Sequence, residues 1–137
     1  MVLQLDGVMG QSQLLIILLG VFLIGIAIYA GLTAFSSNST ENARHAIISD
    51  LQAFSSAAVS YYWKPTTQGG GGKSFNGIAV GRFLQSGENV NGRYSIESAS
   101  DQECLILGVG RVMGDNGDSI RIRSRVTLQR NWIEIVN

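Results

Sequence analysis

Several residues of this chain stand in patterns that could do chemistry, and each has a simpler reading. Residues 69–74 end in Gly-Lys-Ser, the tail of a phosphate-cradling loop. That loop needs a further glycine at position 67, which is Thr67, with a strand before it and a helix after. Gly108-Val109-Gly110 opens a dinucleotide fingerprint, but its third glycine would fall on Met113. Asp115, Asn116 and Asp118 offer oxygens to a calcium ion, yet no glutamate closes a twelve-residue loop. With Gly114 and Gly117 they spell a turn instead, and Asn116-Gly117 favours a type I′ hairpin. His45 has no Ser/Asp or Cys companion and reads as a helix surface residue. Cys104 is the sole cysteine, so no internal disulfide forms, and one histidine cannot complete a zinc set. It reads as a small core residue of a strand. No catalytic residue, metal ligand or cofactor is expected, and the chain is not expected to be an enzyme.

What remains is contact chemistry. Arg121, Arg123 and Arg125 alternate with Ile120 and Ile122, which puts three guanidinium groups on one face of a strand. Either they form a solvated face balanced by Glu97, Glu103 or Glu134, or they touch a neighbouring subunit or an anionic surface. Trp132 shares a face with Glu134 and Val136 on the last strand and is a candidate intersubunit contact. Ten Lys and Arg balance ten Asp and Glu. A nucleic-acid partner is therefore not expected, because phosphate contacts need a basic excess. Asn38-Ser39-Thr40 matches a glycosylation sequon, but it falls inside a predicted helix.

The elements that must carry these residues are set by hydrophobic patterning. No charge occurs between Asp6 and Glu41. Inside that stretch, residues 14–32 (LLIILLGVFLIGIAIYAGL) hold no strongly polar side chain. As a helix they would span roughly 28 Å, close to the hydrocarbon thickness of a bilayer. A helix apolar on every side must be surrounded by lipid or by other protein. A cleaved secretory signal has a basic start and a shorter apolar core. The first ten residues, MVLQLDGVMG, contain neither Lys nor Arg. A plain single-pass anchor fits better, as does a packing helix.

The helix continues beyond the apolar run. Ala43, Ile47, Leu51, Phe54, Ala58, Tyr61 and Tyr62 recur at spacings of three and four, one stripe of an amphipathic helix. Arg44, His45, Asp50 and Gln52 are expected largely off that stripe. Pro65 ends the helix near Trp63. The periodicity predicts one helix from about Ser12 to Trp63, with the polar residues 36–40 as a weak point.

Residues 66–77, with four glycines at 69–72, read as a flexible connector. Residues 78–84 are ambiguous between strand and short helix. Strands are predicted at 93–98, at Glu103–Met113 with Gly108 and Gly110 as bulge or close-approach points, at 119–129 and at 132–136. In the third, Ile120, Ile122, Val126 and Leu128 should share the apolar face. A lone small sheet is marginal, so its apolar face should pack on the stripe at Ile47, Leu51, Phe54 and Ala58. The expected class is α+β: a long N-terminal hydrophobic helix with a C-terminal antiparallel sheet packed on its second half.

In this layout the chain resembles a type IV pilin. Gly10-Gln11-Ser12-Gln13 before the apolar run, the run itself, and residues 43–63 ending in Tyr61-Tyr62-Trp63 carry the resemblance. It implies a leader of residues 1–10 cut after Gly10, leaving Gln11 first; a start at Met9 would leave no leader to cut. It implies a helix over 11–63, with 14–32 as transmembrane and filament-core stalk, a glycine-rich loop at 64–77 and a sheet head at 78–137. The chain departs from the family pattern at Leu15, where a glutamate is usual, at Leu32, where a proline is usual, and at the unpartnered Cys104.

The resemblance implies a major structural subunit that polymerises into an extracellular helical filament. Before assembly it would sit in the inner membrane, served by pilus assembly machinery. Leu14, Leu15, Leu18, Val21, Phe22, Ile24, Ile28 and Tyr29 would pack in the filament core. Stalks offset side by side make non-closing contacts and hence an open fibre. The alternatives are a minor pilin or secretion-system pseudopilin, and a membrane-anchored surface or periplasmic binding module.

Overall fold

The computed structural model describes residues 2–114 and 116–136, the backbone alone for residues 2–8. One α-helix, α1, spans Val2–Trp63. It begins earlier than the predicted Ser12 and passes through residues 36–40 without a break. Glycine at 7 and 10 is tolerated because no proline interrupts the run. Residues 2–10, the leader expected at 1–10 apart from Met1, continue the backbone of this helix; Met1 lies outside the described residues. The chain divides into two compact units, Met1–Asn38 and Ser39–Asn137.

The second unit is a four-stranded antiparallel sheet packed on the C-terminal part of α1. Strands β1 (Gly92–Ala99), β2 (Glu103–Met113), β3 (Ser119–Thr127) and β4 (Asn131–Ile135) lie in sequence order as a meander. Strict alternation in β2 and β3 puts Cys104, Ile106, Ile120, Ile122 and Val126 on the buried face. Against them α1 sets Ile47, Leu51, Phe54, Ala58, Tyr61 and Tyr62, the predicted stripe. Phe54 stacks on Phe83 at 5.6 Å and meets the edge of Tyr94 at 4.8 Å. Gly108 and Gly110 are close-approach points as expected. A Cβ at Gly108 would lie 2.9 Å from Ile47 Cγ2, and one at Gly110 2.8 Å from Ile47 Cδ1. Leaving out two side chains lets the helix settle onto β2.

Three expectations are corrected, and one inner position of β3 is filled by a residue that the pattern left unassigned. Ser124, not an apolar residue, fills the inner position between Ile122 and Val126; its hydroxyl lies 2.9 Å from that of Ser55 on α1. Both buried hydroxyls are satisfied, since Ser55 also donates to Leu51 O at 2.7 Å. Leu128 leaves the apolar face, because β3 stops at Thr127 and the chain reverses there. The β2–β3 connection is not a type I′ turn. Met113 pairs with Ser119, Gly114 N donates to Asp118 O, and only Gly117 of the described turn residues has positive φ, at 80°. Asp115, part of that expected turn, lies outside the described residues. Last, the glycine-rich connector is folded back on the helix end. Gly71 N donates to Tyr61 O, Gly72 N to Lys64 O and Lys73 N to Tyr62 O. These amides satisfy carbonyls that the helix terminus leaves open. The ambiguous segment at 78–84 contains a short 3₁₀ turn, Val80–Arg82.

Candidate functional site

In the first unit, every large apolar residue from Leu14 to Phe35 is between 51% and 75% exposed. Leu14, Leu15, Leu18, Val21, Phe22, Ile24, Ile28 and Tyr29 are among them, so all the residues expected to pack in a filament core face outward. They surround the helix rather than forming one stripe, because they follow one another with few interruptions. Thr33 returns its hydroxyl to Tyr29 O at 2.9 Å, which keeps even that polar group within the helix. At Gly20, Gly25 and Gly31 an added Cβ would meet nothing, so the surface there is open backbone. By length and composition this helix can cross a membrane. Gly10 and Gln11 are exposed within it.

On the second unit, the outer sheet face carries the arginine ladder, and its three members part company. Arg123 holds Glu97 in a two-pronged ion pair, with Nε and a terminal nitrogen at 2.6 and 3.2 Å. Glu97 reaches it because the β1–β2 register shifts between Ile96 and Ser98, a bulge that re-aims this side chain. Glu97 raises the affinity of Arg123 for its proton through that hydrogen bond and its charge, with Glu134 adding to it. Arg121 and Arg125 are exposed, with no ion pair among the described residues. Trp132 lies directly across from Arg125 and is 50% exposed. It therefore stands on the arginine face, as its spacing from Glu134 predicted.

A polar cluster corrects a further expectation: Asp50, expected largely off the apolar stripe, is half-buried beside it. Asp50 on α1 accepts hydrogen bonds from Asn89 Nδ2 and Asn91 Nδ2, each at 2.8 Å, and from the Tyr94 hydroxyl. Burial pushes the Asp50 carboxyl up, but these three donors together outweigh it and hold it below its ordinary value. Burial and then the neighbouring carboxylate push the Tyr94 hydroxyl well above its own. Asn89 Oδ1 accepts from the amides of Asn91 and Gly92, which locks the turn before β1. A signal for this existed. Asp50 follows Ile47 by three and precedes Phe54 by four, so it belongs to the buried face despite its charge. Beside the cluster Glu88 is held by Arg93 at 2.8 Å and Arg111 at 3.3 Å.

Burial pushes the Cys104 thiol up to about 11. Among the described residues no group of three or more His, Cys, Asp or Glu could hold a metal ion. His45 lies on the exposed side of α1, 3.6 Å from Glu41. No family model matches the chain, and no curated protein or solved structure is detectably similar to it.

Proposed function

We propose that this chain is the major structural subunit of an extracellular type IV pilus-like filament. It would act by polymerising, without catalysis. The observation that carries the reading is the apolar helix at 14–32, exposed on every side and attached to an independently packed sheet unit. Each of its large side chains gains roughly 1.5–3 kcal/mol on leaving water. Lipid can supply that environment before assembly, and the same helices of other copies can supply it afterwards. Gly20, Gly25 and Gly31 offer places for backbones to approach closely. No glutamate lies in the run, so Gln11 and Gln13 would set register through amide hydrogen bonds. A cut after Gly10 would make Gln11 the first residue of the subunit.

The test is assembly. Detergent removal from the purified chain should give filaments with helical diffraction, and Phe22→Glu should abolish them while leaving the sheet unit folded. Particles without helical order would contradict the proposal. A second reading, a membrane-anchored surface module, draws on the same helix, whose roughly 28 Å length matches one bilayer crossing. Such a module would stay with the membrane fraction on shearing.

A further inference from the structure

A cleft of about 770 Å³ opens at one end of the sheet in the second unit. That volume lies within the roughly 300–1,000 Å³ typical of small-molecule sites. Its walls are Gln102 from the β1–β2 turn with Glu103 at the start of β2, and Leu128, Gln129 and Arg130 from the β3–β4 turn with Trp132 on β4. Both turns are closed by their own hydrogen bonds. Ser100 N donates to Glu103 O at 2.8 Å, and Arg130 N to Thr127 Oγ1 at 3.1 Å. The backbone of each turn is thus fixed before a ligand arrives, which lowers the ordering cost of binding.

Three features narrow its occupant. One carboxylate and one guanidinium cancel, so a phosphate-bearing ligand finds no basic excess. Trp132 and Leu128 are 50% and 40% exposed, an apolar platform facing water. Around it, the ends of Gln102, Glu103 and Gln129 make no hydrogen bond among the described residues. Amides both donate and accept, which is what hydroxyl groups require. An apolar peptide or the flat side of another subunit would bury these polar ends unpaired, at a cost. Arg130 lies over the indole at 6.0 Å, the outer limit of a cation–π contact, so a ring-shaped ligand displacing it gives up little.

We propose that this cleft binds a neutral oligosaccharide, with a sugar ring's C–H face on Trp132 and its hydroxyls on Gln102, Glu103 and Gln129. The site does not depend on polymerisation, and its failure would leave the filament reading untouched. The test uses the full chain in lipid nanodiscs, because glycoside detergents would compete. Trp63→Phe leaves Trp132 as the one fluorescent indole of a chain that has two tryptophans. Cellohexaose, chitohexaose and maltohexaose are titrated separately, with dextran sulfate as the anionic comparator. At least one neutral sugar should shift the Trp132 emission, with the same affinity at low and high salt. The double substitution Gln102→Ala, Gln129→Ala, at two exposed positions, should weaken that binding about tenfold or more at unchanged melting temperature. The proposal is overturned if no neutral sugar binds, if dextran sulfate alone binds with steep salt dependence, or if the double variant binds equally well. Calorimetry on Trp132→Ala gives a second reading of the same loss without relying on fluorescence.

Discussion

The Tyr94 hydroxyl donates its hydrogen to the Asp50 carboxylate, tying edge strand β1 to α1 across a sequence distance that no local pattern spans. Asn89 and Asn91 add two further donors to the same Oδ2. A charged residue is thereby kept on the packed side of an amphipathic helix.

That arrangement fixes a pH dependence. The folded Asp50 carboxyl titrates below its ordinary value of 3.8. Its contribution is therefore complete above the unfolded value and is lost as pH falls through the lower, folded one. Asp50→Ala should destabilise the fold by about 1–3 kcal/mol at neutral pH, since three donors lose their acceptor. Asp50→Asn should flatten the acid limb of a melting-temperature profile. An unchanged acid limb would remove Asp50 from the account.

Close approach at Gly110 predicts coupling between two positions. Gly110→Ala places a Cβ against Ile47 Cδ1 and should cost about 1–3 kcal/mol. Ile47→Val removes that Cδ1 at a cost of about 0.5–1.5 kcal/mol. Denaturant unfolding of the double variant should show less destabilisation than the two costs added. Strict additivity would mean that the helix does not rest on β2 as described.

The arginine ladder should divide under charge reversal. Arg121→Glu and Arg125→Glu should change stability by no more than about 0.5 kcal/mol, because neither side chain is paired among the described residues. Arg123→Glu places a like charge beside Glu97 and lowers stability, more so at low salt. Under the proposed filament function, unchanged filament stability of all three variants at every salt concentration would make the ladder a solvated face only.

Cys104 is fully buried, with its thiol proton held to about 11. A thiol reagent at neutral pH should therefore label the chain only after denaturant is added. Rapid labelling of the native chain would place the sheet face in solvent.

Much of this architecture was legible because two periodicities switch cleanly. Spacing of three and four placed Ile47, Leu51, Phe54 and Ala58 on the helix face that packs, and alternation placed Ile120, Ile122 and Val126 opposite them. Ser124 was missed because alternation sorts by polarity, whereas a hydroxyl paired with Ser55 is at home inside. Asp50 was missed for the same reason, its partners lying about forty residues away in sequence. Composition marked residues 69–72 as loose, yet their amides are spent on the helix terminus. The Trp132 platform could be placed on its face from sequence. The cleft beside it could not, because two turns far apart in the chain form it.

Residues 14–32 must find another apolar environment once lipid is removed. Electron cryomicroscopy of the full chain after detergent removal tests this most directly. Helical polymers are expected, with these segments from neighbouring copies packed along the axis. Single particles, each with its segment folded against its own sheet, would contradict that expectation.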